Sequence, residues 1–279
     1  MSRQPVRRVS PEEAERLVAA GEVRVLDVRT PQEWEQLGHV PGARLLPVDL
    51  MACAPAVLER DRPWLVYCEH GVRSAHAAEL LARAGFEGLL DLDGGMSCWD
   101  GPRAHEPARI EGPSSWLLAC VDLLPRGGTA LDVACGRGRH ALLLASAGYD
   151  VTALDRDAAA LEALGASASA LELGVDARQV DLEAPGVDLG QARFDLVLVV
   201  HYLHRPLFPA LRRALAPGGL LLYETFTEAQ ARRGKPTNPD FLLRVGELET
   251  LVAPLRVLRS REGEFDGRDV AGIAVTSRP

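Results

Sequence analysis

Apolar residues in the first hundred positions fall into short blocks separated by stretches with helical spacing. Val23 to Asp27, Trp64 to Tyr67 and Leu89 to Leu92 are brief and nearly continuous, as strands buried on both faces are. Two intervening stretches open on helix-start signals. In Ser10-Pro11-Glu12-Glu13 a serine caps, proline suits the first turn and acids face the positive end. In Thr30-Pro31-Gln32-Glu33 the threonine and Glu33 have capping-box spacing. Further helices are predicted over 54–60 and 75–84, the latter stopped by Gly85. This alternation predicts an α/β unit with a small parallel sheet.

The pattern resumes after position 113. A helix is predicted over 114–124, then strands over 129–134, 149–154 and 175–180, with helices over 140–147 and 161–170. Phe194 to Val200 is an almost unbroken apolar run, expected of a central parallel strand. A helix over 207–215 and a strand over 220–224 follow. Residues 225–239 are polar and lack periodicity; 241–252 reads as mostly helical, broken at Gly246, and two strands close the chain over 255–260 and 271–276. Between the halves, Asp100 to Pro107 shows no apolar period and Gly112-Pro113 is a breaker pair. The expected division is one domain over 1–103, a linker over 104–112 and a second domain over 113–279, both α/β.

Composition narrows the function. The formal charge of -8 argues against non-specific nucleic-acid binding. Of 31 basic residues only Lys235 is a lysine, which reads as a compositional bias toward arginine. Five cysteines without a C-x-x-C pair suggest neither a disulfide framework nor a zinc site, so no metal is expected. There is no apolar leader segment after Met1 and no run of spanning length. A cytoplasmic protein with small-molecule partners, and neither membrane nor nucleic acid, is the expectation.

Two loops carry chemistry. Cys68-Glu69-His70-Gly71-Val72-Arg73-Ser74 follows a strand and opens a helix. Inward-pointing N–H groups there would stabilise a thiolate or a persulfide on Cys68, with Arg73 adding positive charge. Four residues separate Cys68 from Arg73, a ring better matched to a sulfur atom than to a tetrahedral oxyanion. Glu69 is expected to place negative charge at the rim, disfavouring an anionic donor such as thiosulfate and favouring a small-thiol or protein persulfide. Cys98 is expected to be a small apolar filler beside Trp99, with a resolving thiol as the alternative.

The second loop lies in Ala130-Leu131-Asp132-Val133-Ala134-Cys135-Gly136-Arg137-Gly138-Arg139-His140-Ala141. Strand, glycine turn and helix present backbone N–H groups to a ligand, and Gly136 and Gly138 leave room for it. Asp132 would face a cation or a hydroxyl. Asp155 ends the next strand at the spacing of a ribose-binding acid, and Asp181-Leu182-Glu183 ends a third. Acids at three strand ends point away from a dinucleotide. They point toward a ligand with hydroxyls, an exocyclic amine and a positive centre. His201 and Tyr202, after the fourth strand, are candidates to face the reacting centre; each could equally pack or cap. The stretch Thr225 to Asp240 is a candidate cover for the substrate.

These motifs carry two resemblances. LDVRTPQEWEQLGHVPGA, CEHGVRS and DGGMSCW resemble a rhodanese-like sulfurtransferase domain. That implies a sulfur-carrying nucleophile at Cys68, with Asp27, Arg29, His39 and Gly42 as scaffold. LDVACGRGRHA, VTALDRD, FDLVLVVHYLHRPLF and LAPGGLLLYETF resemble a Rossmann-like class I S-adenosylmethionine-dependent methyltransferase of the small-molecule, tellurite-resistance-like type. That implies Asp132, Ala134, Gly136 and Gly138 on the methionine side. It implies Asp155 on the ribose, Arg156 beside the adenine, and Asp181 and Leu182 at the adenine amine. The expected function is persulfide sulfur transfer joined to methylation of a small molecule, a thiol or chalcogen compound being suggested by the fusion. The alternatives are a metabolite methyltransferase with a redox- or sulfide-sensing first domain, and an S-adenosylmethionine-binding scaffold without turnover.

Overall fold

The structure is a computed structural model in which residues 6–277 are described. It divides into two compact units: the first holds the chain up to Pro113 together with Ser167–Glu172, the second Ser114–Ala166 and the chain from Leu173 on.

The first unit contains β1 (Arg7–Val9), α1 (Pro11–Ala19), β2 (Arg24–Asp27), α2 (Pro31–Leu37), β3 (Arg44–Leu45), α3 (Ala54–Val57), β4 (Trp64–Tyr67), α4 (Val72–Arg83) and β5 (Leu90–Leu92). The sheet order is β1-β5-β4-β2-β3, and every pairing is parallel. Central β4 is buried on both faces, which is why its sequence is unbroken apolar. Trp64 and Val66 pack with Ala77, Ala78 and Leu81 of α4. Leu65 and Tyr67 pack with Ala14 and Leu17 of α1. Ser10 and Thr30 cap α1 and α2, and Thr30 with Glu33 forms the expected capping box.

Several boundaries differ from the sequence expectation. Helix α4 begins at Val72, so Arg73 and Ser74 lie in its first turn instead of preceding it. Gly71 allows this early start by taking a φ of 81°. Strands β1 and β3 are too short to show a period of two. Residues 104–112 are tied to the first unit. Ala104 exchanges backbone hydrogen bonds with His39, Trp34 Nε1 donates to Glu106 O, and Glu111 N donates to Leu45 O.

The second unit contains α5 (Ser115–Ala119), β6 (Gly128–Val133), α6 (Arg139–Ser146), β7 (Tyr149–Asp155), α7 (Ala158–Ala170), β8 (Val175–Gln179), β9 (Phe194–Val200), α8 (Phe208–Ala214), β10 (Leu215–Phe226), α9 (Glu247–Val252), β11 (Arg256–Phe265) and β12 (Arg268–Thr276). The order is β11-β12-β10-β9-β6-β7-β8. Five strands, β10 to β8, run parallel; β12 is antiparallel to both neighbours. The chain moves outward from β6 to β8, then returns to place β9 on the other side of β6. The switch between β6 and β9 is where an open α/β sheet opens a crevice at its carboxyl edge.

Only Glu247–Val252 of the helix expected over 241–252 forms. Leu242 and Leu243 are buried in an extended segment, and Leu243 bridges to Thr227. The closing strands are longer than expected, because charged residues on the exposed face of β11 mask its alternation.

Candidate functional site

The first unit builds its site on the turn from β4 into α4. Cys68 is 1% exposed, and Gly71 N donates to its Sγ at 3.2 Å. The Ser74 hydroxyl lies 3.5 Å from the same sulfur. Burial pushes the thiol up, but Ser74 and the backbone N–H groups of Ser74, His70 and Gly71 outweigh it, and the net pKa falls below 9. Arg73 adds a charge contact with Cys68. Two hydrogen bonds that Arg73 donates to Glu33, at 2.8 and 2.5 Å, hold the arginine in place.

Behind the loop, buried Arg29 donates to both oxygens of Asp27, to Gly38 O and, at 2.7 Å, to Glu69 Oε2. Glu69 therefore has a cation partner, shared with Asp27, which lessens the negative charge expected at the rim. His39 is buried and stacks on Trp34 with centroids 3.4 Å apart. Cys98 is exposed, so it is not the apolar filler expected from sequence. It ends a 3-10 turn, Gly95–Cys98, in which Met96 N and Ser97 N donate to Cys68 O and Glu69 O.

The second unit opens a cavity of about 660 Å³ at the carboxyl ends of its parallel strands, within the size range of small-molecule sites. Ala134, Asp155, Arg156, Asp181 and Leu182 line it, as do His201 and Tyr202. Three other expected contacts lie outside its lining. Asp132 is fully buried, and its carboxyl accepts from Ala141 N at the start of α6 while Oδ2 lacks a partner. Burial raises its pKa to about 7. Gly136 donates its N–H to Asp155 Oδ2 at 2.7 Å. Gly138 is packed against α7: a Cβ there would lie 2.3 Å from Leu164 Cδ1. It leaves room for a side chain, not for a ligand.

Asp155 is held from two directions. Oδ2 accepts from Gly136 N and Oδ1 from Asp157 N at 2.9 Å. Each oxygen keeps a second lone pair for a ligand hydroxyl. Asp181 Oδ1 accepts from Glu183 N at 3.0 Å and is similarly oriented. The Tyr202 hydroxyl is buried in the same region without a partner. Burial raises its pKa to about 12, and its charged neighbours are Glu183, Arg156, Asp181 and Asp155. An orphaned donor among oriented carboxylates fits the nucleoside of S-adenosylmethionine, with hydroxyls and an amine to satisfy.

His201 stands apart from that acid end. It has a φ of 60°, donates its N–H to Glu224 O, and stacks on Phe226 with centroids 4.7 Å apart. Burial, then Arg139 and Arg268, lowers its pKa to about 3, so the ring is neutral. Ala134, at the end of adjacent β6, also has a positive φ, 56°. The walls of the crevice thus carry two non-glycine residues in a strained conformation, one on each side of the switch point. Arg205 pairs with Glu247 and with the carbonyls of Asp240 and Leu242, a structural anchor. His140 is buried and accepts from Ser114 N.

Sequence reasoning found neither Glu33 as the partner of Arg73 nor Phe241 as part of the cavity wall; Lys235, Pro236, Thr237 and Asn238, which line the cavity, belong to the stretch expected to cover the substrate. No group of three metal-ligating side chains occurs among the described residues, and no helix there is long and apolar enough to cross a membrane.

Residues 10–101 match the rhodanese-like domain family and residues 130–219 a methyltransferase domain family. The chain is 37% identical over 103 residues to the thiosulfate sulfurtransferase GlpE of Ectopseudomonas mendocina, covering 37% of this chain and 93% of that one. It is 40% identical over 77 residues to the probable adenylyltransferase/sulfurtransferase MoeZ of Mycobacterium tuberculosis, covering 27% of this chain but only 19% of MoeZ. The crystal structure of an S-adenosylmethionine-dependent methyltransferase from Mesorhizobium loti is similar with a TM-score of 0.49 at 19% identity, covering 58% of this chain and 98% of that one. Residues 130–219 of the second unit match a methyltransferase domain, and through its first unit the chain belongs to the rhodanese-like family.

Proposed function

We propose that the chain is a transferase with two sites: one carries sulfane sulfur on Cys68, and the other methylates a small soft nucleophile such as a thiol. The observation that carries the first half is the depressed thiol of Cys68 among N–H donors and Arg73. The Cys68 thiolate attacks the outer sulfur of a donor, leaving a Cys68 persulfide. With thiosulfate the leaving group is sulfite; with a persulfide donor it is the donor thiolate. An acceptor thiolate then takes the outer sulfur and returns the Cys68 thiolate. The pairing of Glu69 with Arg29 lessens the charge that faces an anionic donor, which supports thiosulfate as one donor, in keeping with the name of the GlpE relative.

S-adenosylmethionine bound at the cavity supplies a methyl group already activated on a sulfonium. Asp155 holds the ribose hydroxyls, Asp181 the adenine amine, and the Tyr202 hydroxyl bonds to the nucleoside instead of acting on the acceptor. His201 and Phe226 form the wall facing the acceptor. Neutral His201 is a weak base, so the chain's contribution is alignment and exclusion of water. Such a site suits a nucleophile that needs little base assistance, which supports a thiol or related acceptor.

The test begins with labelled thiosulfate or a small-thiol persulfide, followed by intact-mass detection of one added sulfur on Cys68. S-adenosylmethionine and a thiol panel are then supplied. Label lost by Cys68→Ser and methylated thiol as product are expected. A protein that takes no sulfur, or methylates only non-thiol metabolites, overturns the corresponding half.

A second reading, redox sensing by the first unit, is favoured by exposed Cys98 on the turn bonded to the Cys68 loop. It requires a Cys68–Cys98 disulfide after oxidation, read by peptide mapping.

A further inference from the structure

The cavity of the second unit has two chemically different ends. Asp155, Asp181 and Glu183 make one end acidic, with Arg156 only 3.9 Å from Glu183 as partial compensation. By strand order Phe226, at the end of β10, lies away from the acids that follow β7 and β8; the lining also includes Pro236, Phe241 and the exposed Lys235, Thr237 and Asn238, Lys235 being the one cation of that segment in it. Phe241 is 47% exposed, an aromatic ring left uncovered beside an open cavity.

Lys235 is distinctive in sequence and in placement. It is the only lysine among 31 basic residues, and it lies in the cavity wall. It has no ion pair among the described residues. Its backbone is nevertheless fixed. Buried Gln230 donates from Nε2 to Lys235 O at 3.1 Å and accepts from Asp269 N at 2.9 Å. The far end of the same wall is held by Arg205, which donates to Asp240 O and Leu242 O at 2.9 Å each. A compact ammonium on an anchored backbone, beside apolar walls, is a receptor for a small anionic group on an apolar body. An arginine would present a wider planar fork there. The acidic end of the cavity repels the same anion and so directs it toward Lys235.

We propose that Lys235 recognises the methyl acceptor, and that the acceptor is a small molecule with an apolar body and a carboxylate or similarly compact anion. This rests on the methyltransferase reading of the cavity. Within that reading it narrows a thiol acceptor to a mercapto acid.

A lone lysine is also a lone reporter. Reductive methylation of the full chain with labelled formaldehyde keeps the charge and yields one lysine resonance, assigned by its loss in Lys235→Arg. S-adenosylhomocysteine is added, with its binding followed by calorimetry. Mercaptoacetate and phenylacetate are then titrated against their neutral counterparts, mercaptoethanol and phenylacetamide. The expected result is a saturable shift with the acids and none with the neutral pair. A shift produced by S-adenosylhomocysteine alone, and unchanged by the acids, would mean that Lys235 holds the cofactor, and overturns the proposal. Equal shifts with acids and neutral compounds, or none with either, overturn it as well. Failure to bind S-adenosylhomocysteine would instead refute the methyltransferase reading, and the calorimetry shows that separately.

Discussion

Glu33 and Arg73 stand 40 residues apart in sequence and meet in a two-point ion pair, 2.8 and 2.5 Å. Glu33 also completes the capping box of α2, so one carboxylate fixes a helix start and aims the arginine beside Cys68. Glu33→Gln keeps a residue that suits a capping box and removes the charge that orients Arg73. Sulfur loading of Cys68 should slow about tenfold, equivalent to about 1.4 kcal/mol of lost positioning, with little change in the melting curve. The hydrogen bonds from Arg73, with help from Thr30, lower the Glu33 pKa from 4.5 to about 2. The pair's contribution is therefore complete above pH 4.5 and lost as pH falls toward 2. Loading rates measured from pH 7 to 4.5 should show no limb from this carboxylate.

The Cys68 thiol is lowered from 9 despite burial. Its thiolate fraction therefore persists to lower pH than that of an ordinary cysteine. Alkylation by iodoacetamide, followed by peptide mass spectrometry across pH, should show the Cys68 midpoint below 9 and a slower rate in Ser74→Ala. A midpoint at or above 9 would contradict the donor arrangement.

Asp155 orients the glycine turn and offers free lone pairs to the ligand. Asp155→Ala should weaken S-adenosylhomocysteine binding by about 1.5–3 kcal/mol, the worth of hydrogen bonds to a charged group, read by calorimetry. Tyr202→Phe should cost about 0.5–1.5 kcal/mol in the same titration and leave turnover at saturating cofactor unchanged. A selective loss of turnover would return Tyr202 to the reacting centre.

The two glycines of the turn should respond differently to alanine. At Gly136, with φ 54°, a Cβ meets nothing within 4 Å, so the cost is the left-handed backbone alone, about 1–2 kcal/mol. At Gly138, with φ 78°, the new atom also strikes Leu164, adding about 1–3 kcal/mol of overpacking. Thermal unfolding should rank Gly138→Ala below Gly136→Ala.

Burial and two nearby arginines hold His201 neutral down to about pH 3. Because the folded pKa is depressed, protonation near 6.5 belongs to the unfolded chain, not to the folded site. The rate of methyl transfer with cofactor saturating should therefore show no inflection near pH 6.5 attributable to this ring. A limb that vanishes in His201→Gln would refute that.

The local pattern of residues alone sets out the two α/β units, the caps on α1 and α2, the buried character of β4 and β9, and the Cys68 and Gly136 turns. These are short-range properties: periodicity, capping chemistry and glycine placement act over a few residues. Tertiary packing decided the rest. Arg29 pairs with Glu69 across 40 positions, Leu164 occupies the room left by Gly138, and Ala141 takes up the Asp132 carboxyl. The stretch around Lys235 could be read as a cover, but not which of its residues line the cavity, because it has no period of its own and takes its place from Gln230 and Arg205. Which groups meet across a crevice depends on strand order, and strand order is not written in any local spacing.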